Sequence, residues 1–349
     1  MPARHALIAG ATGIVGRRIA ERLHANGWTV TGLCRHPPSR SPYDMRAVDL
    51  TDAHDCSRKL STLTTITHLF YAARYDHPEG RAESIDVNAA MLVNVVDAIE
   101  PVAQGLEHVH LVHGTKYYGH MLGPLAVPIQ EDAPRARISN FYFAHEDFIR
   151  ARRNGKRWTY TTSRPHTFCD PDPAEPRNAA LLIALHATFA RALGQRFDFP
   201  GTESAFRVRT QFTFVPMLAR AIEWMSSDAR CANESFNVVN GDSPSWSALW
   251  PQFAEYFGVK TGEPRRARLA DELADKQDVW QSLVERHDLQ PVALADRVLW
   301  PYADYLFAPE WDIISSMSKA RSHGFGESVE SARMFIDLFE RFRRDKIIP

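Results

Sequence analysis

The chain has 349 residues, 44% of them hydrophobic, with 41 Lys and Arg against 42 Asp and Glu and a formal net charge of −1. That length buries a full core of one large or two modest domains without disulfides, and the near-neutral balance argues against a surface built for nucleic acid or an anionic membrane. The four cysteines, Cys34, Cys56, Cys169 and Cys231, stand far apart without paired metal spacing, and no apolar run reaches spanning length, so the expectation is a soluble cytoplasmic protein with reduced thiols and no metal.

Residues 6–16 read Ala-Leu-Ile-Ala-Gly-Ala-Thr-Gly-Ile-Val-Gly. A short apolar run enters three glycines, Gly10, Gly13 and Gly16, and Ile19, Ala20 and Leu23 follow at helical spacing, which predicts strand, tight turn and helix. Such a turn lets backbone approach a pyrophosphate lying on the positive end of the helix, and Thr12, Ile14 and Val15 share that loop and first helical turn. The Gly-x-x-Gly-x-x-Gly spacing resembles the short-chain dehydrogenase form of this turn.

A second strand at 28–34 ends in Arg35-His36. The residue in that place reaches the adenosine ribose, where an acid suits a 2′-hydroxyl and a base a 2′-phosphate, so Arg35 argues for NADPH unless it is simply a solvated loop charge. Asp49 and Leu50, closing a third short strand, are placed against the adenine. Residues 55–63 read as a helix, and the fourth strand, 68–73, ends in the small residues Ala72 and Ala73, where backbone must pass the cofactor. A helix packed on the sheet follows at 84–99, carrying Asn88 one turn in.

The fifth strand, 109–113, delivers Gly114-Thr-Lys-Tyr-Tyr-Gly119 at its C-terminal end, the side where open α/β sheets bind ligands. A helix at 140–150 and a sixth strand at 158–163 come next, and the latter leads into Arg164-Pro165-His166, with Pro165 and Phe168 as further cofactor contacts. Beyond it lie an acidic, proline-rich excursion at 170–176, an apolar helix at 179–193, a turn and helix at 212–225, and a late strand at 235–239 returning to the sheet. Residues 246–349 are mainly helical and rich in aromatics. The fold class is therefore α/β, a Rossmann-type doubly wound parallel sheet with a mainly helical C-terminal substrate lobe. Its division is 1–167, with 211–242 returning, for the dinucleotide domain, and 168–210 with 243–349 for the lobe.

A reductase of this kind needs a group to hydrogen-bond the substrate oxygen and a cation beside it. The usual Tyr-x-x-x-Lys is absent where expected: Tyr142 is followed four residues on by Glu146. The literal match Tyr256-Phe-Gly-Val-Lys260 contains Gly258, which predicts a helix end between the two side chains. Lys116, at the end of the neighbouring strand, is the alternative cation for Tyr142. On spacing alone, Lys116 is equally a surface lysine near a turn and Tyr142 a core aromatic beside Phe141 and Phe143.

Gly114-Thr-Lys-Tyr-Tyr-Gly119, Asn140-Phe-Tyr-Phe-x-x-Glu-Asp147, Arg164-Pro165, Phe236-Asn-Val-x-Asn-Gly-Asp242 and the ending Asp345-Lys-Ile-Ile-Pro349 together resemble the progesterone 5β-reductase/iridoid synthase-like enzymes, atypical extended short-chain reductases. The resemblance spans nearly the whole chain, with Val279-Trp280, Trp300, Ser316-Met317-x-Lys319 and Gly324-Phe325 continuing it through the last lobe. It implies Lys116 and Tyr142 as the catalytic pair, both also touching the cofactor, and NADPH as that cofactor, with Arg35 matching the first of two arginines on the 2′-phosphate. It also implies a small apolar enone or carbonyl substrate and a homodimer. The chain departs from the family in three places: His36 stands for the second arginine, His166 for the glycine of Arg-Pro-Gly, and the loop after Gly119 is short.

The expected activity is NADPH-dependent reduction of an activated alkene conjugated to a carbonyl, with Tyr142 stabilising the enolate and Lys116 assisting. Carbonyl reduction by the same residues is the first alternative, and an NADP(H)-sensing regulator without turnover the second. Tyr118, His166 and Phe206 are the candidate substrate contacts, and Phe206, Phe212, Trp246 and Trp250 suit an apolar ligand unless they pack a core.

Overall fold

The computed structural model describes residues 4–76 and 83–349. Its strands are β1 (His5–Ala9), β2 (Thr29–Cys34), β3 (Asp44–Ala47), β4 (His68–Tyr71), β5 (His108–Val112), β6 (Thr159–Pro165), β7 (Phe168–Cys169), β8 (Phe197–Phe199), β9 (Thr213–Phe214), β10 (Glu234–Val238) and β11 (Thr261–Pro264). Seven of them form one sheet in the order β10, β6, β5, β4, β1, β2, β3, and every pairing is parallel. The chain order reverses between β1 and β4, which opens a crevice at their C-terminal ends.

The helices that matter for the site are α1 (Ile14–Ala25), α2 (Ala53–Leu60), α3 (Ile85–Ile99), α4 (Phe141–Arg152), α5 (Ala179–Ala192), α6 (Glu203–Arg207), α7 (Val215–Ser227) and α8 (Trp246–Phe257). Successive residues of β1 face opposite ways. Ile8 packs with Ile19 and Leu23 of α1 and Ile222 of α7, whereas Leu7 packs with Leu60 of α2, Val95 and Ile99 of α3, and Ile149 of α4. Both faces are thus covered, as an all-parallel sheet requires.

The lobe grows around α5, which is apolar all round and buried along nearly its whole length, the condition for a helix at the centre of a core. Trp250, Trp280, Phe335 and Phe339 surround it. Residues 246–349 are mainly helical, with β11 among the helices, and they do not all pack on the lobe. Met317, Ala320 and Phe325 pack with Phe236 and Val238 of β10 and with α7, so the segment around 317–325 belongs to the sheet's flank and not to the lobe.

The third strand stops at Ala47, which leaves Asp49 and Leu50 in the turn behind it, where Asp49 accepts from the backbone N–H and the hydroxyl of Thr51. Gly258, at φ +64°, ends α8 in the left-handed region before Lys260, which separates the side chains of the Tyr256-to-Lys260 match. Among the described residues no helix is long and apolar enough to cross a membrane.

Candidate active site

The crevice begins with the glycine turn. Gly10 sits at φ +81°, and a Cβ there would lie 2.9 Å from the Ala72 backbone at the end of β4. Its N–H and that of Ala11 both donate to the Leu33 carbonyl, 3.1 Å each, which folds the turn over the end of β2. Gly16, one turn into α1, has no room for a Cβ against the Gly10 carbonyl, so helix and turn touch backbone to backbone.

Gly13 caps α1 without a side-chain bond, and a Cβ on it would meet nothing nearer than the Gly10 carbonyl at 3.5 Å. The cradle is therefore closed beneath by Gly10 and Gly16 and open above Gly13, beside exposed Thr12 and the first turn, Ile14 and Val15. It fits the pyrophosphate of a dinucleotide, since a helix N-terminus offers unpaired N–H groups and a positive field. Glu175 reaches the Ile14 backbone at this end; burial raises its pKa, and Arg177, ahead of Ile14, offsets part of the rise. Arg35 and His36 lie exposed just past β2. Thr51 holds the Asp49 carboxyl below its ordinary range, with a lesser pull from Arg35, and Leu50 beside it is buried.

At the other end of the crevice Asn140 starts α4 by accepting from the Tyr142 N–H at 3.0 Å, which fixes Tyr142 in the first turn. Its ring stacks on His113, the residue after β5, with centroids 4.6 Å apart and planes 20° from parallel. A Cβ on Gly114 would lie 3.4 Å from both the Tyr142 hydroxyl and the Pro165 carbonyl, so that hydroxyl sits where the ends of β5 and β6 meet. Burial raises the Tyr142 pKa, and the charges of Arg74, which lowers it, and Glu83, which raises it, follow. The phenol is consequently protonated through neutral pH.

Lys116 stands on the short turn Thr115–Tyr118, and its ammonium donates to Glu83 at 2.8 Å. Glu83 also faces the Arg74 guanidinium at 3.5 Å. Among the described residues no hydrogen bond joins Lys116 to Tyr142. Glu146, where the usual lysine would stand, is buried and accepts from the Tyr117 hydroxyl at 2.8 Å and from Arg135 and Arg150 at 2.8 and 2.9 Å. A lysine there would meet three basic side chains, counting Arg164 at 3.7 Å, without its carboxylate to hold them.

The remaining sequence candidates divide. His166 lies at the crevice, its Nδ1 2.6 Å from Thr115 Oγ1 and its N–H donating to Thr213 Oγ1. Pro165 is buried beside Gly114, and Phe168 packs half-buried under the sheet's flank against β9. Tyr118 goes elsewhere: its hydroxyl donates to Asn237 at 2.7 Å and accepts from Arg164 at 3.0 Å, inside a network that also holds the Glu131 carbonyl. That network pins the turn that presents Thr115 and Lys116. Phe212, Trp246 and Trp250 are buried lobe core, and Phe206 on α6 packs half-buried at its edge against Phe199.

Sequence reasoning passed over Arg74, Glu83, Thr115, His113, His120 and Tyr305. Thr115 lies inside the Gly114–Gly119 motif and the others belong to none; position past a strand's C-terminal end was the available signal for Arg74, His113 and Thr115. His113 is 2% exposed and neither of its ring nitrogens has a partner, with burial holding its pKa well below the ordinary value. It serves Tyr142 as a neutral stacking face.

Residues 49–349 match the model of the PRISE-like Rossmann-fold domain. The 3-oxo-Delta(4,5)-steroid 5-beta-reductase of Arabidopsis thaliana is 32% identical over 99% of this chain and 93% of its own length. The (S)-8-oxocitronellyl enol synthase of Nepeta racemosa is likewise 32% identical, over 99% and 93%. Among solved structures, a short-chain dehydrogenase/reductase superfamily protein from Agrobacterium tumefaciens with bound NAD superposes at a TM-score of 0.68 and 15% identity, over 98% of each chain.

Proposed function

The chain belongs to the PRISE-like Rossmann-fold family, and on that basis we propose that it is an NADPH-dependent reductase of carbon–carbon double bonds conjugated to a carbonyl. The observation that carries this is the Tyr142 hydroxyl, raised in pKa by burial and set at the meeting of the β5 and β6 ends. A phenol that stays protonated is a hydrogen-bond donor, suited to the charge that develops on a carbonyl oxygen as an enolate forms. The name of the Arabidopsis relative describes such a substrate, a 3-oxo group beside a 4,5 double bond.

Gly10, Gly13 and the first turn of α1 would hold the pyrophosphate, and Arg35 the 2′-phosphate, while Ala72 passes beneath the cofactor. Bound there, reduced nicotinamide supplies hydride. Tyr142 holds the substrate oxygen and stabilises its negative charge. Lys116, oriented by Glu83, keeps a positive charge at the rim of the same site. His113 fixes the plane of the Tyr142 ring and, being neutral, leaves its proton in place. In this reading the α-carbon takes its proton from solvent.

Incubating the protein with NADPH and a small cyclic enone tests the reading. Cofactor oxidation with saturated ketone as the product is expected. Allylic alcohol would assign hydride to the carbonyl carbon instead, and an absence of oxidation across enones and aldehydes would remove the reductase reading.

A further inference from the structure

The lobe holds a cavity of about 570 Å³, within the range of small-molecule sites, and none of its lining side chains belongs to the crevice. Its floor is α5, and its walls come from β8, from Arg265 just past β11 and from the short helix Leu269–Leu273.

His186 stands on that floor. α5 is otherwise the apolar axis of the lobe core, and its neighbouring polar residue, Thr188, satisfies its hydroxyl within the helix, on the Ala184 carbonyl at 2.8 Å. His186 finds no such partner. Its Nδ1 is sealed without a hydrogen bond, and its ring packs on aromatics, with centroids 4.9 Å from Phe197 and 6.1 Å from Trp250. The residue is 9% exposed and lines the cavity, so Nε2 is the nitrogen that a ligand reaches. A buried polar group left unpaired is costly, and at this place an apolar side chain would pack without that cost. The partner of this imidazole therefore comes from outside the chain.

The rest of the lining decides the charge of that partner. Arg265 spends its fork on Glu272, at 2.7 and 3.0 Å, and its Nε on Asp198 at 3.1 Å. Arg196 is held by the Thr261 carbonyl and Glu263, Lys276 by Asp275, and Asp271 by Arg268 at 3.5 Å. The charges around the cavity are thus already paired with one another. Among the described residues no group of three His, Cys, Asp or Glu side chains could hold a metal ion. Burial lowers the His186 pKa to about 4, against the charges of Glu272 and Asp198, so the ring is neutral at pH 7. Ala190, Leu193 and Leu273 supply the apolar part of the wall, and Leu193 stands 36% exposed.

We propose that this cavity is a second ligand site, apart from the Tyr142 crevice, and that it binds a neutral alcohol with a hydrocarbon body, the hydroxyl on His186 and the body against Ala190, Leu193 and Leu273. A hydroxyl donates and accepts, so it satisfies the imidazole in either tautomer, whereas a carbonyl serves only one. An anion would be desolvated against a neutral ring with every nearby cation already held. The site stands independently of the reductase reading.

The test is calorimetric titration with three ligands of one hydrocarbon cage, borneol, camphor and camphorsulfonate, on wild type, His186→Phe, Leu193→Glu and Tyr142→Phe. Wild type is expected to bind borneol about fivefold tighter than camphor, with camphorsulfonate the weakest. His186→Phe and Leu193→Glu are each expected to weaken borneol about fivefold or more, and Tyr142→Phe to leave its affinity unchanged. Without ligand, His186→Phe should melt no lower than wild type, because it removes an unpaired polar ring from the core, whereas a histidine with a structural bond would cost stability on removal. If His186→Phe does not fold, Leu193→Glu, at an exposed position, decides. Borneol binding that is absent from wild type, that survives in His186→Phe and Leu193→Glu, or that is lost in Tyr142→Phe overturns the site. Camphorsulfonate binding tighter than borneol overturns the neutral ligand class.

Discussion

Arg35 lies exposed past the end of β2, and the role proposed for it, on a 2′-phosphate, rests on its charge. A guanidinium on a ribose phosphate makes charge-assisted hydrogen bonds that a ribose hydroxyl cannot match. Replacing it, Arg35→Ala, is expected to raise the KM for NADPH about tenfold and to leave that for NADH within about twofold, measured by steady-state kinetics with each cofactor. Equal effects on both would make Arg35 a solvated loop charge. The places of Arg35, Tyr142 and Lys116 in the fold were legible because each stands just after a strand or at a helix start. Arg74, His120 and Tyr305 were not, because their relation to Tyr142 exists only once separate loops and the lobe close over the sheet ends. Tyr118 misled for the converse reason: it neighbours Lys116 in sequence, but its side chain turns inward to Arg164 and Asn237.

Among the elements, the turn from β1 to α1 is the most constrained. Gly10 sits at φ +81°, and a Cβ there would come within 2.9 Å of the Ala72 backbone, which has no rotamer with which to yield. Gly10→Ala is expected to destabilise the fold by about 1–3 kcal/mol, through left-handed strain and the collision with β4. It should also weaken cofactor affinity, both read by NADPH-dependent thermal shift. A variant with wild-type melting temperature and affinity would contradict this account of the turn. The apolar and glycine pattern announced this element, and it also announced the late return of β10 to the sheet, since Phe236, Val238 and Val239 alternate with polar residues or run apolar as a covered strand does. The flank segment at 317–325 was assigned to the wrong side because helical amphipathicity tells which face is buried but not against what. Met317, Ala320 and Phe325 would serve either core equally well.

At the scale of the molecule, the sheet's C-terminal half carries a file of buried histidines. His108 and His110 of β5 bridge to Thr159, Thr161 and Ser163 of β6, and His145 of α4 is within 2.9 Å of the Asn88 carbonyl. Burial lowers the pKa of each, to about 3 for His110 and about 4 for His68 and His145. The unfolded chain takes up these protons near pH 6.5, the folded one only well below it. Stability from this source is therefore fully present above about pH 6.5 and falls as pH drops toward 4, each histidine contributing up to about 1.4 kcal/mol per pH unit. Thermal melts between pH 7.5 and 5 should show a steep loss of melting temperature on the acid side, reduced in His110→Asn if that variant remains folded. A flat profile would mean that these rings protonate without leaving the fold. The scattered histidines gave no hint of this in sequence, where a buried ring and a surface ring look alike.

The central claim is that Tyr142 is the group that meets the substrate oxygen during reduction of a conjugated alkene. Its most direct test is NADPH consumption with 2-cyclohexenone by wild type and Tyr142→Phe side by side, with the products identified. The account predicts saturated ketone from the wild type and a rate at least about a hundredfold lower in the variant, the scale on which loss of one oxyanion donor acts. Unchanged turnover in Tyr142→Phe would contradict it.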